Sequence, residues 1–252
     1  MFLNYDNILK HFDCILSPFT PLKYTSDAES ILVVNEHMTF LRSLPILMKH
    51  PRKYNLIVIG DPDFTYHNLH TIKPFVKHIY MTNARINDNI ITKLPCGFKQ
   101  EFNPPKEIRE TTKDILCYLP PLHFYESDNL HHLPGRIFRQ QCKEYFKNIN
   151  FVTVEDKTQL SQDEYCKQIS RSKFVICPMG VGIDTFRVYE TAYVGSTPIV
   201  VKNGMKDLYK KFGVLVVNSW EDITEELLQN HKHYQPPDEL FELEYWLPKN
   251  NL

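Results

Sequence analysis

The chain has 252 residues, of which 42% are hydrophobic and 23% charged, and these proportions exclude a disordered, fibrous or coiled-coil protein. Its 29 basic and 30 acidic side chains nearly cancel, whereas a dedicated nucleic-acid binder usually carries a basic excess, so we expect no nucleic-acid partner. No segment approaches the about 18 to 20 consecutive apolar residues that span a bilayer. The N-terminal residues also lack a cleavable signal pattern, and we expect no transmembrane segment.

The cysteines favour a reducing compartment. None of them forms a CxxC pair, and several lie inside apolar runs, which is typical of buried free thiols rather than of disulfides or zinc ligands. They are Cys14, Cys96, Cys117, Cys142, Cys166 and Cys177. A cytoplasmic protein is therefore predicted.

In the first half of the chain, short apolar runs alternate with segments of helical pattern. The predicted strands are residues 14–16, 31–34, 55–59 and 79–81, and the predicted helices are about 38–49 and 70–77. The polar and charged segment 98–113 follows, and it contains Pro104 and Pro105. Such a composition is typical of a linker between domains.

In the second half the alternation is clearer. The predicted strands are residues 114–119, 151–154, 174–177, 198–201 and 214–217. A helix over 161–173 begins with Ser161 and Glu164 in the spacing of a capping box, and a second helix begins after Ser219. Strands that alternate with helices predict a parallel sheet with both faces covered.

The sequence thus predicts an α/β protein with two Rossmann-like domains that face a central cleft. Residues 1–100 form the first domain, residues 110–232 form the second, and the aromatic-rich tail 233–252 docks back on the body. Ligands of open α/β sheets bind at the carboxyl ends of the strands, so we expect the site at the cleft.

The glycines indicate which domain carries the ligand. Five of the eight glycines fall between residues 180 and 213, where a strand, a loop and a helix follow one another. Asp184 or Thr185 is expected to cap this helix, which would run to about Val194 and stop at Gly195. A loop backbone at Gly182 and Ile183 followed by a helix N-terminus is a ready anion site.

Arg187 and Glu190 lie on one face of this predicted helix. The arginine suits a phosphate, and the carboxylate could accept hydrogen bonds from two ribose hydroxyls. The alternative is an ordinary surface ion pair between residues three apart. Because GxGxxG and Walker A motifs are both absent, the pattern favours a nucleoside diphosphate over NAD or ATP hydrolysis.

This segment resembles the donor-binding motif of exostosin-like glycosyltransferases, family 47 and its short viral and bacterial relatives. Those proteins carry Ser-Lys-Phe and Pro-x-Gly at a strand end, then Asp-Thr-x-Arg-x-x-Glu and Gly-x-x-Pro. The matching residues here are Ser172, Lys173, Phe174, Pro178, Gly180, Asp184, Thr185, Arg187, Glu190, Gly195 and Pro198. Phe186 and Tyr189 depart from the family pattern without removing a charged group. Weaker similarities extend to residues 83–98 and to Tyr245–Trp246.

The resemblance implies a GT-B architecture with the nucleotide sugar held by the C-terminal domain. It implies Glu190 on the ribose and Arg187 near the diphosphate. Arg136 or Arg139 could supply a second phosphate contact, and the alternative for either is a solvated helix residue. Arg136 or Lys173 could also help Arg187 to stabilise the charge of the leaving UDP. Family 47 enzymes invert the anomeric carbon and transfer sugar from a UDP-type donor to a glycan hydroxyl, without a metal in the chemical step. Short relatives occur in large algal viruses, where xylose is added to capsid glycans, so UDP-xylose is the first expectation for the donor and the host cytoplasm for the location if the protein is viral.

An inverting transferase needs a base that deprotonates the acceptor hydroxyl. In a GT-B enzyme, as the resemblance implies, we expect this base in a loop that follows a strand of the N-terminal domain. Two loops of the sequence fit that position. Glu36 and His37 come directly after one predicted strand, and Asp61 and Asp63 after the next. The alternative for the aspartates is a simple turn, since Gly-Asp-Pro-Asp is strong turn chemistry.

Three other interpretations stay open at this point. Asp61 and Asp63 form an Asp-x-Asp after an apolar strand, which is how metal-dependent GT-A transferases bind a divalent cation and the donor diphosphate. A module that binds sugar nucleotides or glycans without catalysis would keep Arg187 and Glu190 but lack a base. An epimerase or reductase would need NAD, and the absent GxGxxG argues against it.

Overall fold

The computed structural model describes residues 4, 7–9, 12, 14–17, 26–35, 39–60, 64–124 and 133–247. The chain divides into two compact units, which are Met1–Cys96 with Glu242–Leu252 and Gly97–Phe241. Each unit contains one parallel five-stranded sheet. The predicted α/β class, with two parallel Rossmann-like sheets, is confirmed.

The first unit carries its strands in sequential order. They are β1 (Ile15–Leu16), β2 (Ser30–Asn35), β3 (Tyr54–Gly60), β4 (Val76–Met81) and β5 (Ile91–Lys93). Helix α1 (Thr39–Lys49) joins β2 to β3, and α2 (Tyr66–Ile72) joins β3 to β4. The apolar residues of β2 and β3 are almost completely buried, as expected of a parallel sheet whose two faces are both covered.

Helix α2 begins four residues earlier than the sequence predicts and ends before β4 starts at Val76. The reason is local. Thr65 forms a capping box with Asn68, in which each side chain accepts a hydrogen bond from the other residue's backbone. Asn68 supplies the function that the usual Glu or Gln would supply, so the standard spacing rule does not find this helix start.

The second unit orders its strands β7–β6–β8–β9–β10. They span β6 (Ile115–Leu119), β7 (Val152–Val154), β8 (Ser172–Ile176), β9 (Thr197–Val201) and β10 (Leu215–Val217). The helices are α3 (Leu133–Phe146), α4 (Gln162–Arg171), α5 (Phe186–Tyr193), α6 (Lys206–Lys211) and α7 (Glu225–Asn230). All five predicted strands are confirmed within two residues at each end.

The start of α4 is the predicted capping box, in which Ser161 and Glu164 exchange hydrogen bonds. The helix predicted after Ser219 is shorter than expected, because a 3-10 turn at Trp220–Asp222 ends before α7 begins. Thr224 caps α7 separately and accepts a hydrogen bond from the Leu227 amide.

Segment 98–113 is part of the second unit and not an extended connection. Phe98 and Phe102 are 2% exposed and pack on the rings of Tyr193 and Phe241. Residues Lys106–Glu110 form a 3-10 helix. The apolar burial of two phenylalanines outweighs the proline and charge content that predicted a linker.

None of the six cysteines, all of which lie in the described residues, forms a disulfide bond, and five of them are buried. Helix α8 (Leu243–Trp246) groups with the first unit, and Leu243, Trp246 and Leu247 are buried. Within the described residues, no helix is both long enough and apolar enough to cross a membrane.

Candidate functional site

The strand order of the second sheet locates a binding crevice. Strand β7 lies on one side of β6 and β8 lies on the other, so successive strands are added in opposite directions on the two sides of the boundary between β6 and β8. At such a switch point the loops after the two strands separate and leave a crevice at the carboxyl edge, where ligands of α/β proteins bind. The described strands of the first sheet run in sequential order and have no switch point.

A cavity of about 180 Å³ lies at this switch point. Pro121 and His123, which follow β6, form part of its wall, and Thr185 and Arg187 at the start of α5 form another part. Other described lining residues are Lys99, Arg139, Leu160, Gln162, Tyr165, Phe186 and Glu190. Three separate chain segments and three helices therefore contribute to one cavity, all within the second unit.

Glu190 is the single acidic side chain among the described residues that line the cavity, and it is 2% exposed. One carboxylate oxygen accepts a hydrogen bond from the Tyr165 hydroxyl at 2.9 Å, and the other accepts from the Lys99 backbone amide at 3.3 Å. Burial raises the pKa of this carboxyl, while these two donors and the charges of Lys99 and Arg187 oppose the rise. No ion pair joins Glu190 to Arg187 in the described part of the chain, so the surface ion-pair interpretation is wrong.

The other charged side chains among the described cavity residues, Lys99, Arg139 and Arg187, are cationic. The guanidinium of Arg187 donates to the Pro121 carbonyl at 2.8 Å, which holds it at the end of β6. Arg139 donates to the carbonyls of Met179 and His123 at 3.1 and 3.0 Å. Burial lowers the pKa of His123, and the positive charges of Lys99, Arg187 and Arg139 lower it further. The cavity is therefore built to receive negative charge.

The N-terminus of α5 opens at this cavity without a side-chain cap. Thr185 occupies the cap position with extended backbone, but its hydroxyl makes no capping hydrogen bond. That hydroxyl is buried and has no partner among the described residues. Uncapped amides at a helix N-terminus bind anions, and an orphan buried hydroxyl costs free energy unless a ligand or water satisfies it.

Asp184 stabilises the loop before α5. Its carboxylate accepts hydrogen bonds from the hydroxyls of Tyr189 at 2.6 Å and Tyr209 at 3.0 Å, and from the Thr185 amide at 3.0 Å. Asn203 fixes the adjacent backbone by donating to the Ile183 carbonyl at 2.8 Å. Asp184 is 5% exposed and does not line the cavity, so its contribution to a ligand is through loop geometry.

A close contact between two glycines brings α3 to the same loop. A Cβ atom on Gly135, in the first turn of α3, would lie 1.9 Å from the carbonyl oxygen of Gly180. A Cβ atom on Gly180 would lie 2.5 Å from a guanidinium nitrogen of Arg139. Position 135 therefore needs glycine for this close approach of α3, whereas a Cβ at position 180 would meet the movable end of the Arg139 side chain.

The predicted donor-binding residues fall into three sets. Thr185, Arg187 and Glu190 line the cavity, and Asp184, Gly182 and Ile183 form the loop that leads to it. Arg136 and Lys173 do not line it. Arg136 lies on α3 before Arg139, and Lys173 is exposed near the amino end of β8, whereas the cavity lies at the carboxyl edge of the sheet.

The two residues that donate hydrogen bonds to Glu190 were not predicted from the sequence. Lys99 comes from the segment that was interpreted as a linker, and Tyr165 lies on α4, for which the sequence predicted only a capped helix. No local motif marks either residue, since each is brought to Glu190 by tertiary packing over 91 and 25 positions of the chain.

The four candidates for a base, Glu36, His37, Asp61 and Asp63, lie outside the described residues. The residues that precede them are informative. Asn35 and Gly60 end β2 and β3 and are register partners, so both loops leave the same edge from neighbouring strands. The carbonyl of Gly60 accepts hydrogen bonds from Asn83 at 2.8 Å and Thr82 at 3.2 Å. This edge is therefore held by side chains that follow β4.

Neither a metal cluster nor a second cavity in the described residues offers a better ligand site. Among the described residues no three His, Cys, Asp or Glu side chains cluster as metal ligands, and Asp61 and Asp63 are not among them. A larger cavity of about 400 Å³ lies between segment 101–111 and α4. Its lining mixes prolines, both charge signs and Cys166, and none of its residues follows a strand, so we assign the ligand to the smaller cavity.

Known proteins that resemble this chain include one family and several solved structures. Residues 125–237 match the family model described as the RXYLT1 C-terminal domain, and this match supports a relationship to the exostosin-like glycosyltransferases. The chain is also similar to the structure of UDP-GlcNAc 2-epimerase from Methanocaldococcus jannaschii, at 11% identity and a TM-score of 0.39, over 86% of this chain and 74% of that one. No curated protein matches the chain.

Proposed function

We propose that this protein is an inverting glycosyltransferase that moves a sugar from a UDP-sugar donor to a hydroxyl group of a glycan acceptor. The observation that carries the proposal is the cationic cavity at the switch point of the second sheet, with the buried carboxylate of Glu190 in its wall. The family match, which covers most of the residues that form this cavity, supports the same class of activity. Xylose is the first sugar to test, on the resemblance alone.

The donor would use the cavity as follows. Its ribose hydroxyls donate to the Glu190 carboxylate, and its diphosphate lies against Arg187, Arg139 and the uncapped N-terminus of α5. The Thr185 hydroxyl, which lacks a partner among the described residues, donates to a phosphate oxygen. Arginine side chains that are already held by carbonyls need no reorganisation when charge develops on the leaving UDP.

In the chemical step, the acceptor oxygen forms a bond to the anomeric carbon of the sugar while the bond from that carbon to the β-phosphate oxygen breaks. The acceptor proton passes to a base, and UDP leaves with the electron pair of the broken bond. Because attack comes from the face opposite the leaving group, the configuration inverts. We assign the base to one of Asp61, Glu36, His37 and Asp63, since their two loops follow neighbouring strands at one sheet edge.

A thermal-shift panel tests the donor site. UDP, GDP, ADP, CMP and NAD are added to the wild-type protein with and without Mn²⁺, and EDTA is added in parallel. We expect UDP to raise the melting temperature without metal, since ligand at 100 times its dissociation constant stabilises a fold by about 2.7 kcal/mol. Glu190→Ala and Arg139→Ala should each weaken UDP binding at least about tenfold, because each removes a charged hydrogen-bonding group.

The control variants are Arg136→Ala and Lys173→Ala, which remove cations of the same unit outside the cavity and should leave the UDP shift unchanged. A shift that requires Mn²⁺ and survives Glu190→Ala would instead favour a GT-A-type site at Asp61 and Asp63. A metal-independent UDP shift without sugar transfer from any UDP-sugar would favour a binding module. Failure of every nucleotide to shift the protein would reject the transferase.

A further inference from the structure

Among the described residues, the Glu190 carboxylate has two hydrogen-bond donors, which leaves two of its acceptor positions without a partner there. Each oxygen of an ionised carboxylate offers about two lone-pair directions. The Tyr165 hydroxyl occupies one direction on one oxygen, and the Lys99 amide occupies one direction on the other. One acceptor position per oxygen is left, at the wall of the cavity.

Two acceptors side by side are the complement of a vicinal diol, in which two hydroxyl groups donate in parallel. We propose that Tyr165 is a positioning residue for ribose recognition: its hydroxyl orients the Glu190 carboxylate so that both free acceptor positions point to the 2′ and 3′ hydroxyls of a bound nucleotide. This inference rests on the proposed donor site, and it adds the residue that determines the preference of that site for a ribose diol.

The arrangement of the elements supports this role. Tyr165 lies on α4 and Glu190 lies on α5, so the hydrogen bond joins two helices across the cavity wall. The side chain of Glu190 is buried and could otherwise rotate so that one oxygen alone faced the cavity. The Lys99 amide is part of the backbone and holds the opposite oxygen, so the two donors together leave the carboxylate one orientation.

The hydrogen bond from Tyr165 also favours the ionised form that the ribose needs. It lowers the pKa of Glu190 against the effect of burial. The positive charges of Lys99 and Arg187 also lower the pKa of this carboxyl. Its negative charge in turn raises the pKa of the thiols of Cys166 and Cys177. Loss of the Tyr165 hydroxyl therefore moves protonation of Glu190 to higher pH.

Calorimetric titration tests the proposal on the full-length protein with two probes, UDP and its 2′,3′-dideoxy analogue. In the wild type we expect UDP to bind at least about tenfold more tightly, since two hydrogen bonds to a carboxylate are lost in the analogue. In Tyr165→Phe this preference should fall to less than about threefold, with UDP weakened and the analogue nearly unchanged. The loss of preference on acidification should also begin at a higher pH.

Tyr118→Phe is the matched control. Tyr118 is buried in the same unit, and its hydroxyl donates to the Glu155 carboxylate at the same 2.9 Å, but neither residue lines the cavity. This variant should keep the wild-type preference and pH profile, since it loses a structural bond of the same kind. Circular dichroism verifies that both variants are folded, and Tyr165→Met replaces Tyr165→Phe if that variant does not fold.

The outcomes separate the two proposals. If the wild type binds both probes equally, the ribose contact of Glu190 is wrong and the proposed donor site fails with it. If the wild type prefers UDP and Tyr165→Phe keeps that full preference, the donor site stands and the positioning role of Tyr165 is overturned. An equal loss of preference in Tyr118→Phe would also overturn it.

Discussion

Glu190 combines two properties that oppose each other, namely burial and a requirement for charge. The unfolded chain ionises this carboxyl near pH 4.5, whereas burial raises its pKa in the folded protein. The folded state therefore holds the proton more tightly over the interval between the two values. The protonated carboxyl of Glu190 therefore adds to the free energy of unfolding in full below the unfolded pKa, and this contribution is lost as the pH rises through the folded pKa. A residue that destabilises the empty protein at neutral pH is typical of a ligand-binding site.

We predict that Glu190→Gln is more resistant to urea than the wild type at pH 7.5 when no nucleotide is present, because the amide keeps the shape of the side chain without the buried charge. At pH 4.5 this advantage should shrink or disappear. Urea midpoints of both proteins at the two pH values measure it, and the same variant should bind UDP at least about tenfold more weakly. Parallel pH dependence of the two proteins would show that Glu190 does not cause the change.

At the scale of elements, the cavity depends on how closely α3 approaches the loop between β8 and α5. Gly135 and Gly180 are in contact there, and Arg139 reaches the cavity one helical turn later on the same helix. Helices approach this closely only where no side chain separates their backbones. Gly135 of α3 therefore permits the close approach that brings Arg139 to the cavity.

Gly135→Ala should shift α3 away from the loop, since its new Cβ would lie 1.9 Å from a backbone oxygen that no side-chain rotation can move. We expect a loss of stability of about 1 to 3 kcal/mol, as for other overpacked sites, together with weaker UDP binding. Urea unfolding and calorimetry measure the two effects. Gln140→Ala, at an exposed position of the same helix, is the control and should be neutral in both. Wild-type UDP affinity in Gly135→Ala would contradict the importance of this contact.

At the scale of the whole molecule, the two units differ in what their sheets provide. The described residues that line the cavity all belong to the second unit, Gly97–Phe241. The first unit is formed from two separate parts of the chain and carries the four candidate bases. Binding of the donor and activation of the acceptor are thus proposed to reside in different units.

Residues 97–241 expressed alone should therefore keep the UDP-dependent rise in melting temperature but lose sugar transfer. The unit has its own core, in which apolar residues of all five strands pack with Phe146 and Trp220, and this supports independent folding. The full chain with Asp61, Glu36, His37 and Asp63 changed singly to Ala identifies the base by the largest loss of transfer with unchanged UDP binding. A folded second unit without a UDP response would contradict the assignment of the donor site.

Much of the second unit was determined by local sequence. Its five strands, the capping box of Ser161 and Glu164, and the stop of α5 at Gly195 follow from patterns within a few residues, and Gly195 has the positive φ of 76° that such a stop requires. The cluster of Arg187 and Glu190 was also visible from their spacing on one helix. Local backbone preferences and helix periodicity act over short stretches, which is why the sequence predicts them.

What the tertiary structure alone decided is which side chains meet Glu190. No sequence motif identifies Lys99 or Tyr165. Which of Arg136 and Arg139 faces the cavity depends on how α3 packs against Gly180. The same holds for segment 98–113, whose prolines predict a linker while Phe98 and Phe102 bury their rings in the second unit. These features arise from contacts between distant residues, and the free energy of such contacts depends on packing that no local pattern encodes.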